Sequence, residues 1–171
     1  MLRFPRISLS VRGDRRLKQK IGAVPKELMG TATVRYIENL LLERTQDRFK
    51  TKTDPDGAPW APWAPSTPKR RAKKLESGEV TPSAFGIAHG GILVLSGSLA
   101  ESIEIKRTQA DRGFAVGTGG GFRIGSSHPL ARIHQQGTRH IPARPFLGVG
   151  TADSILVERH LQRAARRAGL R

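Results

Sequence analysis

Gly91–Arg107 reads GILVLSGSLAESIEIKR. Ile92 to Leu95 form a short apolar run that fits either a buried strand or a segment docked on a core. Ser98 followed by Glu101 has the capping-box spacing, in which each side chain satisfies an orphan amide at a helix start. Leu99 and Ile103 then lie four apart on one helical face. The spacing predicts a short helix passing into a strand over Glu104–Arg107, a loop over TQADRG, and a returning strand at GFAVG, residues 113–117. A helix feeding an antiparallel pair points to an α+β fold.

Upstream, no proline interrupts Lys26 to Phe49, where Val34, Ile37, Leu40 and Leu41 recur at helical spacing. This predicts a long helix with an apolar stripe. Before it, Arg6–Val11 (RISLSV) alternates polar and apolar residues and predicts a strand. After it, TKTDPDGAPWAPWAPSTP (residues 51–68) is too rich in proline for a regular element. Its WAP repeat sets Trp60 and Trp63 three apart. In a chain with 5% aromatics, they are expected to pin the loop to the domain or to a neighbouring subunit, with base stacking as the alternative. PKRRAKK (68–74) is expected to be an exposed loop within a mobile insert of about 51–90.

Downstream, GTGGGFRIGSS (117–127) reads as a flexible connection near the hairpin. The tail predicts a helix capped by Thr151 or Asp153 and stopped at Gly169, with Val157, Leu161, Ala164, Ala165 and Ala168 on one face. The whole predicts one domain over residues 1–171 with a basic N-terminal segment (1–25). Its small antiparallel sheet carries a long helix and a C-terminal helix on one face.

Thirty Lys+Arg against fourteen Asp+Glu give a formal charge of +16, which makes a polyanion the expected ligand or neighbour. The bases gather in three places: Arg12, Arg15 and Arg16 near the start; Lys69, Arg70 and Arg71; and Arg163, Arg166 and Arg167 near the end. These nine are the candidate contacts for such a polyanion. No cysteine is present, so disulfides and thiolate metal sites are excluded. MLRFPRISLSVRG lacks the apolar stretch of a signal peptide, and no apolar run approaches a membrane span, so a soluble chain made in the cytoplasm is expected.

Catalytic chemistry finds little support. Between Asp111 and Asp153 there is no Asp or Glu, so no carboxylate nearby in sequence orients His128, His134 or His140. Their spacing of six and six matches no helical metal pair. The glycine-rich stretch fits neither G-x-G-x-x-G nor a P-loop, and DPDG (54–57) begins like a calcium loop but has Pro65 where Glu is needed. No catalytic, cofactor-binding or metal-binding residue is assigned. A hydrolase would need a carboxylate brought to the histidines from outside 112–152.

Residues 131–148, ARIHQQGTRHIPARPFLG, admit a structural reading. Leu130 and Ile133 would bury one face of a short helix ended by Gly137. Ile141-Pro142 and Arg144-Pro145 force extended backbone, with Phe146 anchored in the core and Arg144 paired to an acid elsewhere or on a neighbouring subunit.

Taken in order, Asp56-Gly57-x-x-Trp60-x-Pro62, Ser66-Thr67, Ile92-Leu93, Ser96-Gly97-x-Leu99-x-x-Ser102-Ile103, Val116-Gly117, Ile133-His134-Gln135-x-Gly137 and Ile141-Pro142-Ala143-Arg144-Pro145-Phe146-Leu147-Gly148 resemble the phage virion morphogenesis family of tail-completion proteins. The likeness runs from about Ile37 into the C-terminal helix. Leu130, Arg132, Gln136 and Trp63 depart from the family pattern. The resemblance implies a tail-terminator or neck-like fold and a structural protein of the virion neck or tail end. It further implies a ring, commonly hexameric, on the DNA path and partnered by connector and tail-tube proteins, without cofactor or membrane, which makes the nine clustered bases the candidate DNA-path residues. It marks Trp60, Trp63, Ile133, His134, Gln135, Gly137, Pro142, Arg144, Pro145, Phe146, Leu147 and Gly148 as the structural or interface box. A free-standing nucleic-acid-binding protein, using Lys69–Lys74 and the WAP repeat, is the alternative.

Overall fold

The computed structural model describes residues 30–108 and 121–169. The strands expected at Arg6–Val11 and at 113–117 lie outside them, as do Arg12, Arg15 and Arg16.

Helix α1, Thr31–Thr51, is the long helix. It starts later than Lys26 because Gly30 is extended (φ −64°, ψ 165°) and forms the N-cap. Thr33, Ile37, Leu41, Thr45 and Arg48 recur every three to four residues along its buried side. Thr45 fits there because its hydroxyl donates to the Leu41 carbonyl at 2.7 Å. The helix closes on Lys52, a non-glycine residue at φ 61°. Its ammonium donates to the Phe49 carbonyl and, at 2.6 Å, to the His89 carbonyl, so side-chain bonds hold the left-handed turn.

PKRRAKK is not a loop. It lies in helix α2, Thr67–Glu76, with Pro68 in its first turn. Proline is favoured there because its missing N–H would have no helical partner, and Lys, Arg, Ala, Leu and Glu then propagate the helix. Helix α3, Ala84–His89, follows, capped by the Ser83 hydroxyl, which accepts from the Gly86 amide. Ile92–Leu95 docks rather than forming a strand. Val94 is fully buried and the chain folds back on itself through a Gly91–Val94 bridge.

Helix α4, Ser98–Glu101, lacks the expected capping box. Gly97, at φ 93°, is its N-cap, and the Glu101 carboxylate instead accepts from Ser83 Oγ at 2.6 Å. Only glycine fits at 97, since a Cβ would stand 2.3 Å from that hydroxyl.

Strand β1, Ile103–Thr108, pairs antiparallel with β2, Gly121–Ser126, in the register Ile103 opposite Ser126 and Thr108 opposite Gly121. The returning strand is therefore GFRIGS, within the stretch expected to be a flexible connection. Alternation explains it: Ile124 and Ser126 are buried while Gly125 between them is not. A two-stranded ribbon is marginal alone; this one lies against α1, which also carries the C-terminal helix.

Helix α5, Ala131–Gln136, ends at Gly137 (φ 73°), and helix α6, Thr151–Arg167, runs to a final turn with Gly169 at φ 72°. The cap of α6 is Gly150, and Asp153 reaches back to accept from the Gly150 amide at 3.0 Å. The core gathers Ile37, Leu41, Phe49, Val94, Phe146 and Val157, each at most 4% exposed. The α+β class expected from the sequence is the observed one.

The 51–66 loop meets the start of α6 without slack. A Cβ on Gly150 would fall 1.8 Å from the Pro55 carbonyl oxygen, although its φ of −83° suits any residue. Gly150→Ala should therefore lose roughly 1–3 kcal/mol, at the upper end of overpacking, in urea unfolding. Unchanged stability would show that this joint has room to move.

Candidate interaction site

The box 141–148 is extended and proline-rich, so its carbonyls cannot be satisfied within the segment and need donors from elsewhere. Three side chains supply them. Trp60 Nε1 donates to Pro145 O at 2.8 Å. Arg48 Nη1 donates to Phe146 O at 2.8 Å and to Gly148 O at 3.0 Å. Gln135 Nε2 donates to Leu147 O at 2.8 Å, while its Oε1 accepts from the Phe146 and Leu147 amides at 3.0 and 2.9 Å. The amide of Gln135 thus acts as a β-like partner for two residues of the box.

Phe146 is anchored as expected, fully buried and 5.1 Å from the Phe49 ring, with Trp60 edge-on to Phe49 at 5.5 Å. The expected acid partner of Arg144 is not what it holds. Arg144 donates through Nε to Ala61 O and through Nη2 to Pro62 O, both at 2.8 Å. The prolines of the WAP repeat contribute no donors, so these carbonyls need one from outside. Leu130 is also not buried as expected: it stands at the N-cap of α5, 47% exposed, and Ala131 fills the core position. Ile133 is half-buried, Pro142 exposed, and Gly137 closely packed, a Cβ there standing 2.7 Å from Ala143 N.

Arg48 and Asp153 are the central pair that sequence reading missed. Asp153, fully buried, accepts from Arg48 Nη2, from Arg44 Nε at 2.8 Å and from the Gly150 amide. Burial is the largest influence on Arg48 and lowers its pKa, opposed by attraction to Asp153. The available signal was an isolated acid at the start of a basic helix, which reads equally well as a dipole cap.

Beside the box, α2, the docked 93–99 segment, α5 and Ile141–Arg144 enclose a cleft of about 580 Å³. It brings His128, His134 and His140 together with Arg70, Arg71 and Arg144. Among its described lining residues there is no carboxylate. Arg71, a candidate DNA-path residue, turns inward: it donates to Val94 O at 2.7 Å and lies 4.6 Å over Trp63. Lys69 and Arg70 are exposed on α2, and Arg163, Arg166 and Arg167 are exposed on α6. No group of His, Cys, Asp or Glu among the described residues could hold a metal ion. The DPDG acids serve the backbone: Asp54 accepts from the Asp56 and Ala58 amides at 2.9 Å, and Asp56 from the Thr151 amide at 3.2 Å.

One contact imitates a catalytic pair. His128 Nε2 lies 3.2 Å from Ser98 Oγ, itself 2.7 Å from Ser96 Oγ. However, His128 Nδ1 accepts the Leu130 amide at 3.2 Å, which puts the ring proton on Nε2. Burial lowers the His128 pKa and keeps the ring neutral. Wired this way, Nε2 donates to the serine and cannot take its proton.

The polar side chains around the box are spent on the protein's own proline-rich backbone. The chain belongs to the phage virion morphogenesis family, whose sequence pattern matches residues 13–165. No curated protein and no solved structure matches the chain. The family makes this a phage virion structural or assembly protein, associated with the virion and with other virion proteins, and it is not a known enzyme class. No helix among the described residues is long and apolar enough to cross a membrane.

Two outcomes follow from this wiring. Asp153→Ala strands the buried Arg48 charge and should cost about 3–5 kcal/mol. Arg44→Ala, which removes a partner whose side chain is 39% exposed, should cost about 1 kcal/mol or less. Equal losses in chemical unfolding would show that Arg48 is not the decisive partner. The second concerns pH. Burial first, then Arg144 and His128, lower the His134 pKa, so the unfolded chain takes up protons before the folded one. Stability is full above the unfolded value of about 6.5 and falls as pH drops from there towards the folded value. The melting temperature should decline from pH 7.5 to 5.5, and less steeply in His134→Gln; an identical slope in the variant would assign the effect elsewhere.

Proposed function

We propose that this protein works at the phage neck or tail end as a tail-completion or tail-terminator protein that joins tails to DNA-filled heads. In this reading it assembles as a ring, hexameric by analogy, around the DNA path. Membership of the virion morphogenesis family carries the reading. The outer face of α6 supports its DNA-facing part. Arg159, Arg163 and Arg166 are exposed opposite the buried Asp153, Val157 and Leu161, and they span about 10 Å of helix. Repeated around a ring, such a stripe gives a sequence-independent field for phosphates. Lys69 and Arg70 on α2 are the second candidate surface.

The free-standing nucleic-acid reading has less support, because Trp60 is buried and Arg71 covers a face of Trp63. Neither ring is set out for base stacking.

The test is electron microscopy of lysates from the parent phage with this gene disrupted. The expected result is filled heads beside separate, finished tails. Normally joined virions would overturn the joining role.

A further inference from the structure

We infer that the cleft between α2 and the box is a docking site for an extended segment of another virion protein, one that presents a carboxylate between apolar side chains. The inference rests on the proposed function only for the class of partner, since the site itself is read from its lining.

Part of the lining is apolar, with Leu93, Leu95, Leu99 and Ile141, and the rest includes three guanidinium and three imidazole groups. A volume of about 580 Å³ falls within the range of pockets that enclose a drug-sized ligand, about 300–1,000 Å³. It exceeds what a lone small anion would fill. Three arginines without a lining carboxylate form an electrostatic vacancy for negative charge. Arg70 is exposed, and its guanidinium has no hydrogen-bond or ion-pair partner among the described residues. Arg144 spends Nε and Nη2 on Ala61 and Pro62, which fixes its plane and leaves Nη1 with no partner among the described residues. Arg71 is likewise held, by Val94 O and by Trp63. Two rigid guanidinium groups and one free one suit planar carboxylate recognition, with little side-chain ordering left to do.

Charge and shape together select the occupant. A second copy of a chain with formal charge +16 brings mostly the wrong sign. The phosphates of a DNA duplex would answer the arginines but leave the lining leucines uncovered. An extended acidic and apolar peptide covers both.

The test uses the purified full chain and two labelled hexapeptides, Leu-Asp-Leu-Asp-Leu-Asp and its Leu-Asn counterpart. Binding is followed by fluorescence anisotropy and by the histidine ring signals in NMR. The Asp peptide should bind at least tenfold more tightly than the Asn peptide. It should shift His128, His134 and His140 while sparing His89 and His160. Arg70→Glu should weaken it at least tenfold without changing the melting temperature. Arg163→Glu, which alters net charge equally but lies on α6, should leave the affinity within about twofold. Equal binding of the two peptides, equal effects of the two substitutions, or shifts that miss the three cleft histidines would each overturn the site. Displacement of the Asp peptide by a short single-stranded oligonucleotide with the same histidine shifts would overturn the peptide assignment in favour of nucleic acid. Because these readouts need no assembled virion, their failure is distinct from failure of the joining role.

Discussion

Arg48 carries a charge into the centre of the molecule, where its side chain is 5% exposed and that of Asp153 is fully buried. Taking two ions out of water costs several kcal/mol each, and their attraction offsets this only when the remaining donors and lone pairs are also satisfied. Here they are. One nitrogen of the guanidinium meets Asp153 and another meets two carbonyls of the box, while the carboxylate also holds Arg44 and the cap of α6. The planar fork of arginine addresses the helix and the box at once, which the single ammonium of lysine could not do in this geometry. The last turn of α1, the start of α6 and the extended box are therefore fixed as one unit. A shift of any one of them would strand a buried charge.

That constraint explains why the box is built as it is. Proline removes donors from residues 141–148 and from the WAP loop, leaving two strings of carbonyls facing one another. The two segments exchange donors across the gap: Trp60 reaches Pro145, and Arg144 reaches Ala61 and Pro62. Gln135 closes the far side from α5. Shape does the rest, because Gly150 lies where Pro55 leaves no room for a side chain. A segment that would be floppy alone is made rigid by neighbours distant in sequence.

Local periodicity made α1, α6 and the α+β class legible, and the two X-Pro steps that extend the box made the burial of Phe146 legible, because such signals declare themselves within a few residues. Pairings across the chain were not legible. Arg48 in a last helical turn and Asp153 in a first one both suit the helix dipole, and nothing local reveals that they meet 105 residues apart. PKRRAKK is ambiguous for a different reason: proline breaks a helix interior but favours its first turn, so the position of Pro68 decides its meaning. In GFRIGS, glycine content masked an alternation that packing against α1 makes decisive. His128, His134 and His140, equally spaced in sequence, converge on one cleft only because α5 and the box fold back on the docked segment.

The formal charge is also divided by the fold in a way composition cannot express. Arg48, Arg71 and Arg144 are turned towards carbonyls, an acid or an aromatic ring, and burial lowers the pKa of each. Each of them spends donors or a ring face on the protein itself, although Arg71 and Arg144 also line the cleft. The outward bases on α2 and α6 face water and one another, with Lys69 and Lys73 four apart and Arg159 and Arg163 four apart. Like charges at that spacing destabilise a helix modestly. A polyanion or an acidic partner that binds only the folded chain relieves this repulsion and raises stability by mass action. By the same argument, the excess charge that repels itself in the isolated chain would favour binding to such a partner.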